Sequence, residues 1–231
     1  MCIPSYNCES YIRETIESVL RQDYDNIELI ISDDSSDDRT REVIESTKSS
    51  NPNASITVFY PEKRLGLEGN WNQVLQLAGG TYIKLLPSDD TLEESCIGKQ
   101  VNAFENQQDG LSLVFCRRTI INKNGNRILD TGPSIERRYA ASDIVRKCIL
   151  SGTNVIGEPG AVLFRREHSD SIGQFNGAMP YVIDLDYWYR LLKCGDAFGL
   201  AEPLTTFRID QNLSVRLGFK RPLNFINVNE I

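Results

Sequence analysis

The sequence predicts an α/β fold with a mostly parallel central sheet and helices on both faces. Three observations carry this. Short runs of branched apolar residues alternate with stretches of helical periodicity from the N-terminus to Cys116. The apolar runs are too short for helices and suit strands buried on both faces. Two acidic clusters directly follow such runs, at the strand ends where parallel sheets place their ligands.

Taken in order, Ser10 to Gln22 is expected to be a helix, with Tyr11, Ile12, Ile16, Val19 and Leu20 at helical spacing and Ser10 as its cap. Ile27 to Ser32 is a strand, followed at once by Asp33-Asp34-Ser35-Ser36-Asp37 and a helix over 39–47. Ile56 to Tyr60 is the next strand. Gly66-Leu67-Glu68-Gly69 reads as a turn before a helix over 70–77, which Gly79-Gly80 closes. Tyr82 to Leu86 is a strand ending in Pro87-Ser88-Asp89-Asp90; a helix over 93–105 and a strand over 111–116 follow. Beyond Cys116 the pattern changes. Thr119 to Leu129 reads as a hairpin around Asn124-Gly125. A helix capped near Ser142 spans 141–150, a short strand 161–164 and a helix 184–193, closed by Cys194-Gly195.

The 231 residues suffice for one sizeable core, and an apolar content of 40% with 25% charged residues is ordinary for a soluble domain. A net charge of −7 argues against a nucleic-acid partner. No apolar run reaches the ~20 residues of a membrane-spanning helix, and no signal peptide is read at the N-terminus. The six cysteines are widely and irregularly spaced, without a CxxC pair, as expected of reduced thiols in a cytoplasmic protein. The Asn-x-Ser sequons at Asn53 and Asn212 carry no meaning there. His168, the single histidine, lies in a charged stretch and is expected to be exposed; one histidine and no G-x-S-x-G exclude a Ser-His-Asp hydrolase of the usual form. No P-loop and no G-x-G-x-x-G is present. The first strand is very short, and the Asn-rich end lacks a closing element, as expected of a trimmed chain or a late start.

Three acidic clusters stand out. Asp33 and Asp34 suit a polar turn that caps the next helix, and from this segment alone that reading is the stronger; carboxylate recognition of a base or ribose is the alternative. Asp89 and Asp90 suit a cap equally well, but they follow an apolar strand, where carboxylates can reach a hard divalent cation and a ribose together. Asp184-Leu185-Asp186 opens an aromatic-rich helix; the acids complement the helix dipole, or one of them serves as a general base.

Taken together these segments resemble the family 2 glycosyltransferases, which have the GT-A fold. Ile3-Pro4-Ser5-Tyr6-Asn7, then Tyr11-Ile12 and Ile16-x-Ser18-Val19-Leu20-x-Gln22, look like the family's opening strand and helix. Ile27 to Asp37 looks like its second strand and acidic turn. Gly66, Asn70-x-Asn72, Ala78-x-Gly80-x-Tyr82-Ile83 and Ser88-Asp89-Asp90 follow in the family's order. Gly157-x-Pro159, Phe164-Arg165-Arg166, Asp184-x-Asp186-x-Trp188-x-Arg190-Leu191 and Phe207-Arg208-Ile209 with Ser214 match its later segments, so the likeness covers residues 2 to about 216.

The resemblance implies an inverting glycosyltransferase that moves a sugar from a nucleotide diphosphate, with a UDP- or dTDP-sugar expected, to an acceptor hydroxyl of a glycan or lipid-linked acceptor in surface polysaccharide or glycolipid synthesis. Residues 1–117 would be the nucleotide-sugar half, 118–216 the acceptor half of the same domain and 217–231 a tail. Pro4 and Tyr6 would lie along the base, Asp34 (with Asp33) would hydrogen-bond it, and Asp89 would contact the ribose. Asp90 would bind Mn²⁺ or Mg²⁺, with Asp210 as a further oxygen ligand. Asp184 would be the catalytic base, and Asp186 and Trp188 would meet the acceptor. Three positions depart from the family pattern: Pro87 where an acid is common, Ile183 where Glu is common and Asp210 where His is common. The Gln-x-x-Arg-Trp motif of processive synthases is absent, which favours single-sugar transfer. Arg216, Lys220 and Arg221 among Leu217, Phe219 and Leu223 offer a peripheral membrane contact. Two other readings are a catalytically weak nucleotide-sugar-binding module and a sugar-1-phosphate nucleotidyltransferase; the latter lacks its glycine-, arginine- and lysine-bearing N-terminal loop.

Overall fold

A computed structural model describes residues 1–107 and 110–209. The predicted α/β architecture is observed. Strands β1 (Cys2–Ser5), β2 (Leu29–Asp33) and β3 (Ile56–Phe59) form a parallel sheet in that order, with Ile3 opposite Ile31 and Leu29 opposite Ile56. β1 and β2 are buried along their whole length, which is why β2 opens on the apolar run Leu29-Ile30-Ile31. Helices α1 (Ile12–Leu20), α2 (Thr40–Ser50) and α3 (Gly66–Leu77) form the crossovers; α1 packs on α2, and α3 packs on β1 and β2.

The second sheet is mixed. It holds β4 (Tyr82–Ile83), β5 (Leu111–Asn122), β6 (Arg127–Thr131), β7 (Arg137–Tyr139), β8 (Val162–Arg165) and β9 (Asp196–Ile209) in the order β4-β8-β5-β9-β7, with β6 paired to β5. β4–β8 and β5–β8 are antiparallel, whereas β5–β9 is parallel. The sheets join at β1: the Cys2 amide donates to the Lys84 carbonyl (2.9 Å) and the Leu86 amide to the Cys2 carbonyl (2.8 Å). Helices α4 (Cys96–Asn106), α5 (Ala141–Ser151), α6 (Arg166–Ile172) and α7 (Ile183–Leu191) complete the layers. Phe164, Tyr187, Trp188 and Phe175 pack as an aromatic cluster in one continuous core. Each such side chain contributes about 1.5–3 kcal/mol on full burial. Among the described residues no helix is long and apolar enough to cross a membrane, and all six cysteines are free thiols.

Several local expectations are corrected. Helix α3 begins at Gly66, so the glycine-rich stretch is its first turn. Neither Ser10 nor Ser142 caps a helix. The caps come from afar: Asp196 of β9 accepts the Ala141 amide at 3.0 Å, and Asp34 serves α3 as described below. His168 is half-buried in α6, its Nδ1 enclosed, and burial lowers its pKa. The long strand β9 had no strand reading because Glu202-Pro203 interrupts it. There the register against β5 shifts between Cys116 and Arg117, a bulge that tolerates a proline.

Candidate active site

A cleft of about 490 Å³ opens at the carboxyl ends of β1 and β2 and beside the turn after β4. Its shape starts with two residues in left-handed backbone, Asn7 (φ 48°) and Ser35 (φ 58°). Asn is among the few side chains that tolerate this conformation. The Asn7 amide donates to Ser36 Oγ (2.9 Å) and its side-chain oxygen accepts the Asp37 amide (3.0 Å), which locks the turns after β1 and β2 together.

Pro4, Tyr6 and Asp34, the residues that the resemblance would place at the base, line this cleft. The Asp34 carboxylate accepts the Leu65 amide and, at 2.9 Å, the Gly66 amide, so it caps the entry to α3. The Arg64 guanidinium lies over the Tyr6 ring, 3.7 Å from its centre, and 3.9 Å from Asp34. Asp33 behaves differently. Its side chain is buried, accepts hydrogen bonds from Ser5 and Ser36 hydroxyls, and is absent from the cleft lining. It braces the turn beneath the site.

Asp89 and Asp90 also divide. Asp89 lines the cleft, and burial raises its carboxyl pKa. Asp90 is 1% exposed and does not line it. One Asp90 oxygen accepts the Arg208 amide at 2.7 Å and the other is buried without a partner among the described residues. Burial, and then the charge of Asp89, push the Asp90 carboxyl well above the usual range. Arg208, which the sequence reading placed in a family-like segment without a role, fastens this turn. Its Nε donates to the Asp89 carbonyl (2.8 Å), its guanidinium pairs with Glu14 (3.1 Å), and it stacks on Tyr11. Arg208, Lys123 and Arg64 set three cations around the cleft of an acidic chain. Asp210 lies outside the described residues.

Asp184 sits in the first turn of α7, mostly buried. Burial, followed by the charge of Glu158, raises its carboxyl to about 6. Glu158 acts in the same sense on Asp90, so one carboxylate neighbours both. Asn154 holds Asp184. The Asn154 side-chain oxygen accepts the Ile156 (3.2 Å) and Gly157 (2.9 Å) amides, which turns its NH₂ group toward Asp184 Oδ2 at 3.0 Å. Asn154, Glu158 and its ion-pair partner Arg118 gave no signal in sequence, since their roles arise from contacts 30 to 40 residues apart. The expected acceptor contact at Trp188 is corrected: the ring is fully buried, and its Nε1 donates to the Gly157 carbonyl at 3.0 Å, bracing the loop that carries Asn154. The Asp186 carboxylate is engaged by Arg190 one turn on, at 2.9 Å.

Fold and cleft together define an α/β protein with a ligand-sized cleft at the carboxyl ends of its parallel strands. The glycosyl transferase family 2 model matches residues 1–173, and the chain belongs to that family. It is 39% identical over 197 residues to the Escherichia coli UDP-Glc:alpha-D-GlcNAc-diphosphoundecaprenol beta-1,3-glucosyltransferase WfaP, covering 84% of this chain and 69% of that protein. It is 28% identical over 216 residues to a Bacillus subtilis protein described provisionally as the teichuronic acid biosynthesis glycosyltransferase TuaG, covering 90% and 78%. The crystal structure of S. aureus TarS 1-349 in complex with UDP superposes with a TM-score of 0.71 at 18% identity, over 90% of this chain and 59% of that one, a likeness of fold. The chain spans 61% and 62% of the length of two other curated relatives, from Mycobacterium tuberculosis and Rickettsia typhi.

Proposed function

We propose that the protein transfers a sugar from a UDP- or dTDP-sugar to a hydroxyl of a lipid-linked or glycan acceptor, with inversion at the anomeric carbon. One observation carries the reading: a strand-end cleft pairs an aromatic floor with the cleft-facing carboxylates of Asp34 and Asp89, and the charge of Glu158 reaches both the buried Asp90 behind that cleft and a second, mostly buried carboxyl at Asp184, which stands outside the cleft lining. The relatives support the chemistry, since WfaP is named for a UDP-sugar donor and a diphospholipid acceptor.

In this reading the base lies along Pro4 and Tyr6, displacing Arg64 from the ring, and meets Asp34. Lys123 and Arg208 face the diphosphate. A hard divalent cation, Mn²⁺ or Mg²⁺, suits the donor set. Asp89 offers cleft-facing oxygens and Asp90 an unpartnered one behind it. The described residues contain no group of three or more ligating side chains, so diphosphate and water would complete the shell. When bound, the cation would neutralise charge on the departing diphosphate. Asp184 accepts the proton of the acceptor hydroxyl as its oxygen attacks the anomeric carbon and the bond to the diphosphate breaks. A base with a pKa near 6 is ionised at neutral pH yet basic enough for this role. Asn154 donates to the charged form and keeps the carboxylate aimed.

The test is incubation with a UDP- or dTDP-hexose and a diphospholipid-linked sugar. Acceptor-dependent release of the nucleoside diphosphate and a product of opposite anomeric configuration, read by NMR, are expected. Retained configuration, or release that ignores the acceptor, contradicts the reading. A weakly catalytic binding module is the second reading. It is favoured by Pro87, which lines the cleft where a further carboxylate would strengthen metal binding. Tight diphosphate binding without any transfer identifies it.

A further inference from the structure

Ten large apolar side chains are exposed among the described residues, and five of them flank the Asp184 end of the molecule. Ile149 and Leu150 (74% exposed) close α5, while Met179, Tyr181 (71% exposed) and Val182 form the turn leading into α7. One contact ties these segments together: Asn154, just past Leu150, hydrogen-bonds Asp184, just past Val182. An apolar concentration of this kind marks an interaction surface.

Charge specifies the partner. Arg146 and Lys147 are exposed next to Ile149 and Leu150, and neither belongs to an ion pair among the described residues. Asp143, a turn earlier, is the only acid on that helix. In a chain of net charge −7 this basic end is a local exception. Aliphatic tips, an amphipathic tyrosine and adjoining cations are the composition of a surface that sits in the headgroup region of an anionic bilayer.

We propose that the end of α5 and the 179–182 turn dock on an anionic lipid surface, presenting Asp184 to an acceptor embedded there. The second clause rests on the function proposed above; the docking does not. The test is co-flotation of the full chain with phosphatidylcholine vesicles, with and without phosphatidylglycerol. Binding that requires phosphatidylglycerol and weakens with salt is expected. Ile149→Ser with Leu150→Ser lowers it by about tenfold or more, and Arg146→Gln with Lys147→Gln removes the preference for phosphatidylglycerol. All four sites are exposed, so UDP titration and circular dichroism of the variants should match the parent. Binding that these variants leave intact, or that is equal on both vesicles, overturns the proposal. So does a concentration-dependent dimer abolished by the Ile149→Ser, Leu150→Ser pair, which assigns the surface to a second copy. Transfer to a water-soluble acceptor separates the two claims: transfer without vesicle binding leaves the enzyme and removes the membrane surface, and vesicle binding without transfer does the reverse.

Discussion

Replacing Asp184 by Asn should make the protein more stable while transfer collapses. Burial holds this carboxyl at about 6 against an ordinary 3.8. A raised folded-state pKa means the native state binds its proton more tightly than the unfolded chain. The stability it contributes is fully present below pH 3.8 and is lost as pH rises to about 6. Above that the wild type carries an electrostatic cost of about 3 kcal/mol, from about two pK units at about 1.4 kcal/mol each. Asn keeps a carbonyl to accept from Asn154 but turns its NH₂ group toward the Leu185 amide, which Asp184 Oδ1 accepts in the wild type, and this removes about 1 kcal/mol of the gain. A net gain of about 2 kcal/mol at pH 8 corresponds to a midpoint rise of roughly 4–8 °C for a chain of this size. Thermal unfolding of both proteins at pH 4.5 and pH 8 is the assay. The advantage should nearly vanish at pH 4.5, and UDP affinity should match the wild type at pH 8. A shift of equal size at both pH values, or a loss of stability at pH 8, refutes the reasoning that Asp184 is strained by burial as an anion.

Three other outcomes are expected. The transfer rate of the wild type should climb as pH rises through about 6 and level off above it, because only ionised Asp184 accepts a proton; a rate that falls over this range contradicts the assignment. Asn154→Ala should move that acidic limb to higher pH while KM for the sugar nucleotide stays constant, since the lost hydrogen bond favours the charged carboxylate; an unmoved limb makes Asn154 a loop brace only. Tyr6→Ala should weaken UDP binding by about 1–3 kcal/mol, the scale of base stacking on an aromatic face, and calorimetry showing no change removes Tyr6 from the base site.

The sequence made the fold legible wherever a strand was buried on both faces or a helix had one apolar side. β2 and α1 follow directly from such patterns. It hid β9, whose bulge at Pro203 breaks the alternation although the strand pairs along the whole of β5. The site was legible in kind, since carboxylates after strands stand out. It was not legible in detail. Asp33 and Asp34 are adjacent in one turn, yet one braces it and the other faces the cleft, because backbone direction alternates between neighbours. Trp188 follows two acids in the first turn of an aromatic-rich helix, and only packing reveals that its ring fills the core. Arg208 meets Asp89 and Asp90 from more than 100 residues away, a distance no local pattern spans.

The central claim is that this cleft holds a nucleoside diphosphate through a metal ion. Calorimetric titration with UDP, dTDP and GDP, each with and without Mn²⁺, tests it most directly, with Asp89→Ala as the control. Metal-dependent binding of UDP or dTDP, lost in the variant, is the predicted result. No binding to any of the three, or binding that neither Mn²⁺ nor Asp89 affects, contradicts the account.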